Sequence, residues 1–486
     1  MDSIKRRSRD YRLLPRLPML LLCALIVGVC ATRTDAQITF KVGIIGDQTG
    51  SSNIDESYKI LKKGIDTLKK EKIDVAVHTG DLLESSQPAD KYRERFGTAV
   101  ELLNQLGKPW HLSPGDHDVN PACFIPDSSD RTNENLYKEL YRQKEPGLTD
   151  TLSHSFDIKG YHFVSLNALG RLHSDSRWGD IFLNRVSPQQ LSWLKADLEK
   201  HRSAKGVIVF LHHPMWYNWS GWKPVHDLLR SYHTLAVIAG HFHYPQDEGL
   251  LDNIHYFVVG ATGGDASRFV KTISRNGGAV QHVTVMTITG RKVAFKLLAL
   301  DDDREFKVGS REDMDRVQSI VTSFGDLWQF ASQNTVLVGK DGSIHGPNMQ
   351  PASLILKPIG NPIDLPVKVT VKLESEKLNL VNATFLVDPA SPRESCQSVN
   401  GEECTLGPSA RVAISNLSSV SFIDPLYLCD FSSRPMRPLW ESKLEVKSGK
   451  TVADGDPITV TVRISFQSPR GEFFVEQAAT TKIKSE

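Results

Sequence analysis

Apolar positions along the chain follow two rhythms, and the change from one to the other divides the molecule. Through residues 39–300, short apolar runs alternate with longer stretches in which apolar residues recur every three or four positions. The runs at 39–45, 73–77, 110–112, 207–211 and 235–239 read as strands, those at 73–77 and 207–211 as fully buried ones. Between them, Ile60, Leu61, Ile65 and Leu68 mark an amphipathic helix. Phe96, Val100, Leu102 and Leu103 mark a second, over about 89–106. Ser187 caps a helix that starts at Pro188 and buries Leu191, Leu194 and Leu198. Another helix is predicted over 225–231, a hairpin over 153–167 turning at Lys159-Gly160, and closing strands at 256–259, 280–289 and 293–298. Strands alternating with helices imply a parallel sheet with helices outside it.

Beyond Asp301-Asp302-Asp303 the rhythm changes. Met314, Val317, Ile320, Val321, Phe324 and Leu327 give one amphipathic helix, so residues 301–350 are a helical connector. From about 351 the period is two, with Val367, Val369, Val371 and Leu373 in one run and Ile458, Val460, Val462 and Ile464 in another. Pro, Gly and Ser punctuate these runs, and residues 351–486 read as a small all-β, sandwich-like module. A polar stretch at 120–147, with a helical piece around Leu136 to Tyr141, follows one of the acidic turns and is placed to rim a site.

Lys5, Arg6, Arg7, Arg9, Arg12 and Arg16 precede an apolar run at 17–31 and the small-residue stretch Thr34-Asp35-Ala36. This is the pattern of a cleaved export signal over residues 1–36. The apolar run is short of the ~20 residues of a membrane span, and an uncleaved anchor is the alternative. The expected location is therefore secreted, periplasmic or at the cell surface. Outside the signal remain Cys123, Cys396, Cys404 and Cys429, an even number that fits disulfides in an exported chain, with the pairing left open. A net charge of +1 without a long basic run gives no nucleic-acid signature.

Five polar clusters follow five of the predicted strands: Asp47, Asp81, Asp116-His117-Asp118, His212, and His241 with His243. Open α/β sheets carry their chemistry at the carboxyl ends of strands, so these clusters share one rim. Converging carboxylates and imidazoles suit borderline metals. Asp81, turned out of its strand by Gly80, is placed to bridge two cations ~3.5–4 Å apart.

The run GD…GD…GDHD…HHP…GHFH, spanning about 39–300, resembles the calcineurin-like metallophosphoesterases. His212-His213-Pro214-Met215-Trp216-Tyr217-Asn218 is similar to the purple acid phosphatase branch. The resemblance implies an α/β fold, a four-layer αββα sandwich over 37–300. It also implies hydrolysis of phosphomonoesters or phosphodiesters, small or polymeric, with two metal ions (Fe, Mn or Zn) activating water. By the same resemblance Asp47 and His243 hold the first metal, Asp81 bridges, and Asp116, His212 and His241 hold the second, with His212 rather than His213 as ligand. The resemblance also implies that His117 stands over the leaving oxygen as proton donor or as stabiliser of the developing charge, that Asp118 orients His117, and that Trp216, Tyr217 and Asn218 border the substrate. Three positions depart from the family pattern. Thr49 stands where most members have His, Glu84 where purple acid phosphatases have Tyr, and Asp116 where Asn is usual. Glu84 is either a substitute oxygen ligand of the first metal or a solvated loop carboxylate. The alternative is a weakened site in a binding or scaffold protein whose β module carries the interaction.

Overall fold

The strands of residues 39–300 read as unbroken apolar runs because both of their faces are covered. The computed structural model describes residues 39–49, 53–84, 87–119, 131–168, 186–217, 219–266 and 272–323, several strands between 336 and 448, and 455–485. The signal-like segment, Cys123 and Cys429, Phe324 and Leu327 lie outside the described residues.

The first part runs β1 (Thr39–Ile45), α1 (Ile54–Lys70), β2 (Val75–His78), α2 (Ala89–Asn104), β3 (Trp110–Leu112), the single turn α3 (Asp116–Val119) and α4 (Thr132–Arg142). It continues through β4 (His154–Ile158), β5 (Tyr161–Ser165), α5 (Pro188–Lys200), β6 (Val207–Phe210), α6 (Trp219–Leu229), β7 (Thr234–Ala239), β8 (Gln246–Leu251) and β9 (Ile254–Val258). β10 (Thr272–Ile273), β11 (His282–Thr289), β12 (Lys292–Ala299) and β13 (Glu305–Phe306) complete it. One six-stranded sheet has the order β13-β12-β11-β1-β2-β3 and the other β4-β5-β6-β7-β9-β8. β1, β2 and β3 run parallel, as do β5, β6, β7 and β9.

Alternate residues of each strand go to different layers. Phe40, Val42 and Ile44 of β1, Val75 and Val77 of β2 and Ile208 and Phe210 of β6 meet in one core between the sheets. Ile45 and Ala76 face outward onto Leu61, Ile65 and Leu68 of α1 and Phe96 and Leu103 of α2. Val207, Val209 and Leu211 face the other way, onto Leu194 and Leu198 of α5 and Trp222 and Val225 of α6. Three cores between four layers make the αββα sandwich. α1 is capped by Asn53, whose side chain accepts from the backbone N–H groups of Asp55 and Glu56 at 3.0 and 3.3 Å. α6 begins at Trp219, six residues before the expected start at 225, with Pro224 inside it. The fully buried Trp222 holds those first turns on the core. That burial offsets the hydrogen bond which Pro224 cannot donate.

After α7 (Arg311–Ser323) the elements among the described residues are all strands: β14 (Val336–Val338), β15 (Ile344–His345), β16 (Leu354–Leu356), β17 (Asp364–Glu374), β18 (Leu378–Leu386) and β19 (Glu394–Gln397). β20 (Glu403–Ala413), β21 (Glu441–Ser448), β22 (Pro457–Ser468) and β23 (Gly471–Ser485) follow. One sheet orders β15-β14-β23-β22-β17-β20 and a four-stranded sheet orders β16-β21-β18-β19. The two alternating runs are neighbours: Val371 pairs with Val462 and Leu373 with Val460, all four buried. This larger sheet is also continued by a strand from the first part, since β10 pairs with β23 through Thr272 opposite Glu476. Arg470, in the turn before β23, donates to the Val308 carbonyl at 3.1 Å. No helix among the described residues is long and apolar enough to cross a membrane.

Candidate metal centre

Asp47, Asp81, Asp116, His212 and His241 each lie a few residues past the end of β1, β2, β3, β6 and β7, and each is buried. Asp47, Asp81, His241 and His243 have φ of 52°, 57°, 73° and 59°. Left-handed backbone at a non-glycine residue costs about 1–3 kcal/mol and persists where the surroundings enforce it. Here Asp47 N–H donates to the Gly80 carbonyl at 3.1 Å and Gly264 N–H to the Asp47 carbonyl at 2.9 Å. His241 N–H donates to Asp47 Oδ1 at 2.7 Å. Gly80 has φ 104°, and a Cβ there would come within 2.8 Å of the Gly115 backbone nitrogen. At Gly115 a Cβ would meet Asp81 Oδ1 at 2.1 Å, so these two glycines let the acidic turns touch.

The donors fall into adjoining groups. Asp47, Asp81 and His243 present ligand atoms all within 4.8 Å of one another, and so do Asp116, His212, His213 and His241. Asp81 also belongs with Asp116 and His117, which joins the two groups. His212 donates from Nδ1 to the Thr79 carbonyl at 3.0 Å, leaving Nε2 at 3.0 Å from Asp116 Oδ1 and 3.3 Å from Asp81 Oδ2. His243 donates from Nδ1 to the Asp265 carbonyl at 2.9 Å. A ring nitrogen committed to a carbonyl is the usual support of a metal-binding imidazole.

Four carboxylates, of Asp47, Asp81, Asp116 and Asp118, are buried together here. Burial, with the charge of Asp81, pushes Asp47 up to about 7 against the pull of His212 and the His241 N–H. Burial would depress His212, but Asp81 and Asp116 hold it well above the ordinary imidazole range. Asp47 Oδ2 and both ring nitrogens of His213 are buried without a hydrogen bond. Crowded buried carboxylates and unpartnered imidazole nitrogens are costly unless cations sit among them. The donor set therefore fits two metal ions, Asp47, Asp81 and His243 toward one and Asp116, His212, His213 and His241 toward the other.

Several residues stand elsewhere than expected. Glu84 does not join Asp47 and His243: its Oε2 lies 3.4 Å from Nδ1 of His117. Thr49 instead meets the first group, donating from Oγ1 to Asp81 Oδ2 at 3.2 Å. Asp118 does not face His117. Both are on the single turn α3, where consecutive side chains diverge. Its carboxylate turns inward and accepts the backbone N–H groups of Gly115, Asp81 and Leu83 at 2.8, 2.9 and 2.9 Å. Trp216 and Tyr217 are buried side chains of the rim, with Trp216 edge-on to Tyr256 and Tyr217 edge-on to Phe242. Asn218 lies outside the described residues. His213, passed over in favour of His212, points at the second group with Nε2 3.5 Å from Asp116 Oδ1. Its adjacency to His212 was the one sign of it, and adjacent residues past a strand end need not diverge.

Residues 40–245 match the family described as calcineurin-like phosphoesterase. A curated relative, "Purple acid phosphatase 15" of Arabidopsis thaliana, is 29% identical over 179 residues, which is 33% of this chain and 28% of that protein. The match thus spans little more than a quarter of the relative. Among solved structures, a dimetal phosphatase from Danio rerio aligns over 53% of this chain and 98% of its own, at 16% identity and a TM-score of 0.38. A purple acid phosphatase from yellow lupin (Lupinus luteus) seeds aligns over 57% of this chain and 55% of its own, at 15% identity and a TM-score of 0.40.

Proposed function

Residues 40–245 belong to the calcineurin-like phosphoesterase family, and from that premise we propose that this protein is an exported phosphoester hydrolase with a binuclear metal centre. The observation that carries the reading is that Asp81 groups both with Asp47 and His243 and with Asp116 and His117, and so joins the two sets of donors. Asp47 and His243 complete the first metal site, Asp116, His212 and His241 the second, with His213 as an added nitrogen. Two cations in such a site polarise the phosphoryl oxygens and make water a nucleophile at neutral pH.

His117 is the proton donor to the leaving oxygen of the phosphomonoester or phosphodiester. Glu84 sits against its Nδ1, while its Nε2 faces Asp116 Oδ2 at 3.9 Å. Burial alone would lower its pKa, but Asp81, Glu84 and Asp116 raise it to about 10, so the imidazole is held protonated. Cations on Asp81 and Asp116 would offset their share of that push and leave the share of Glu84. The basic-then-apolar order of residues 1–36 supports export.

The test is metal content per chain, measured on the same sample as hydrolysis of p-nitrophenyl phosphate and bis(p-nitrophenyl) phosphate. Two metal equivalents with turnover are expected, and the preferred ester assigns the substrate class. A chain that takes up no metal even from added Mn²⁺ would overturn the reading in favour of a binding or scaffold role. His213→Ala should weaken retention of the second metal by about 10–100-fold, the range seen when groups supporting a metal ligand are removed. Titrating the metal-stripped chain with Zn²⁺ checks this, and unchanged retention would return His213 to a packing role.

A further inference from the structure

A second set of metal-ligating side chains lies at the far end of the second sheet. Asp157 on β4, His162 on β5 and His201, the residue after α5, bring ligand atoms within 4.8 Å of one another. His162 pairs in register with Val207, the first residue of β6, whereas His212 lies two residues past its last. The length of the strand separates this set from the catalytic rim.

Proton bookkeeping shows what the set lacks. His201 Nδ1 lies 2.8 Å from the backbone carbonyl of Asp197, which can only accept, so that nitrogen carries a proton. Its Nε2 lies 3.4 Å from Asp157 Oδ2. His162 Nε2 lies 2.8 Å from Asp197 Oδ2, and its Nδ1 lies 2.9 Å from Asp157 Oδ1. Both oxygens of Asp157 thus face a ring nitrogen whose partner nitrogen is already committed. A nitrogen lone pair and a carboxylate oxygen repel unless a cation lies between them. Against the effect of burial, Asp197 and Asp157 favour a proton on His162. That proton satisfies its 2.9 Å contact but leaves His201 Nε2 facing Asp157 Oδ2 at 3.4 Å. A second proton there would place two imidazolium charges face to face, because the rings stack with centroids 3.9 Å apart and planes 16° apart. A single divalent ion satisfies the same contacts and leaves both rings neutral. The committed nitrogens also have the partners that ligating imidazoles use, one a carboxylate and one a carbonyl, both supplied by Asp197.

We propose that Asp157, His162 and His201 form a further metal site for a borderline divalent cation such as Zn²⁺, separate from the catalytic pair. Two imidazoles and one carboxylate are a zinc-type donor set, with water completing the sphere. His162 is the buried anchor, and Asp157, whose side chain is 55% exposed, is the entry side. The ion ties the β4–β5 hairpin at the sheet edge to the end of α5.

The test compares the full-length chain with Asp157→Asn/His201→Gln after dialysis against Zn²⁺. The wild type should hold one zinc equivalent more than the variant, with phosphatase turnover the same in both. Equal zinc content overturns the proposal. Should the variant not accumulate as folded protein, the wild type alone decides. Zn²⁺ should block diethyl pyrocarbonate modification of His201, read by peptide mass, and equal labelling with and without Zn²⁺ overturns it.

Discussion

Asp81→Asn is expected to abolish turnover in a chain that remains folded and to leave it short of bound metal. Asp81 stands with Asp47 and His243 in one donor group and with Asp116 and His117 beside the other, so its charge would act on both cations at once. The amide replaces that charge with a neutral group and turns N–H toward one of the cations. A single positioned donor lost from an active site costs about 10²–10³-fold in kcat. The loss of a bridging carboxylate should therefore exceed about 10³-fold, the repulsion between the two cations then being uncompensated. The fold should survive because an amide oxygen can still accept the His117 N–H, which lies 3.0 Å from Asp81 Oδ1. Burial and the neighbouring Asp116 oppose the Asp81 charge, but His212 and His117 favour it and hold the carboxyl below its ordinary range, so the amide costs the metal-free chain part of that attraction. Turnover within tenfold of wild type, with full metal content, would remove Asp81 from the bridging role.

Why the rim was legible in the sequence and its finer contacts were not follows from the range of the forces involved. Each rim residue stands just past a short strand-like run, β-branched and apolar in every case but the Trp110-His111-Leu112 that precedes Asp116, and parallel strands bring their ends together whatever the loops do. Asp47, Asp81, Asp116, His212, His241 and His243 could therefore be grouped without coordinates. Runs such as Val207 to Leu211 are apolar at every position and need a cover on each face, which implied a parallel sheet with helices outside. The four-layer order came from the family resemblance, because the runs do not say how many sheets share the core. Contacts set by the direction of one side chain were not legible. Asp116-His117-Asp118 reads in sequence as one acidic turn, but α3 winds it into a helical turn and sends Asp118 away from His117. Glu84 is three residues past Asp81, and the turn carries it to His117 instead of to the first group. The β10–β23 pairing joins residues about two hundred apart, and a two-residue strand leaves no periodic signal.

Asp118→Ala should act mainly on stability, although the residue sits in the middle of the chemistry. Its carboxylate, 1% exposed, accepts three backbone N–H groups that fix the turns carrying Asp81 and Asp116. Alanine leaves those three donors buried and unpaired, at about 1–3 kcal/mol each. The sum is several kcal/mol against a total folding margin of about 5–15 kcal/mol. With roughly 2–4 °C of melting temperature per kcal/mol for a domain of this size, a drop of about 10 °C or more is expected, or failure to accumulate. Asp118→Asn keeps one acceptor oxygen and should lie between the two. An orienting role for His117 would give the reverse pattern: melting temperature unchanged in both variants and kcat lost in both. Thermal melts of the metal-free chains separate the alternatives, because without the ions the stabilising effect of bound metal cannot mask the missing acceptor. A melt of Asp118→Ala within a degree or two of wild type would show that the two acidic turns are held by their metals and glycine contacts, and not by this carboxylate.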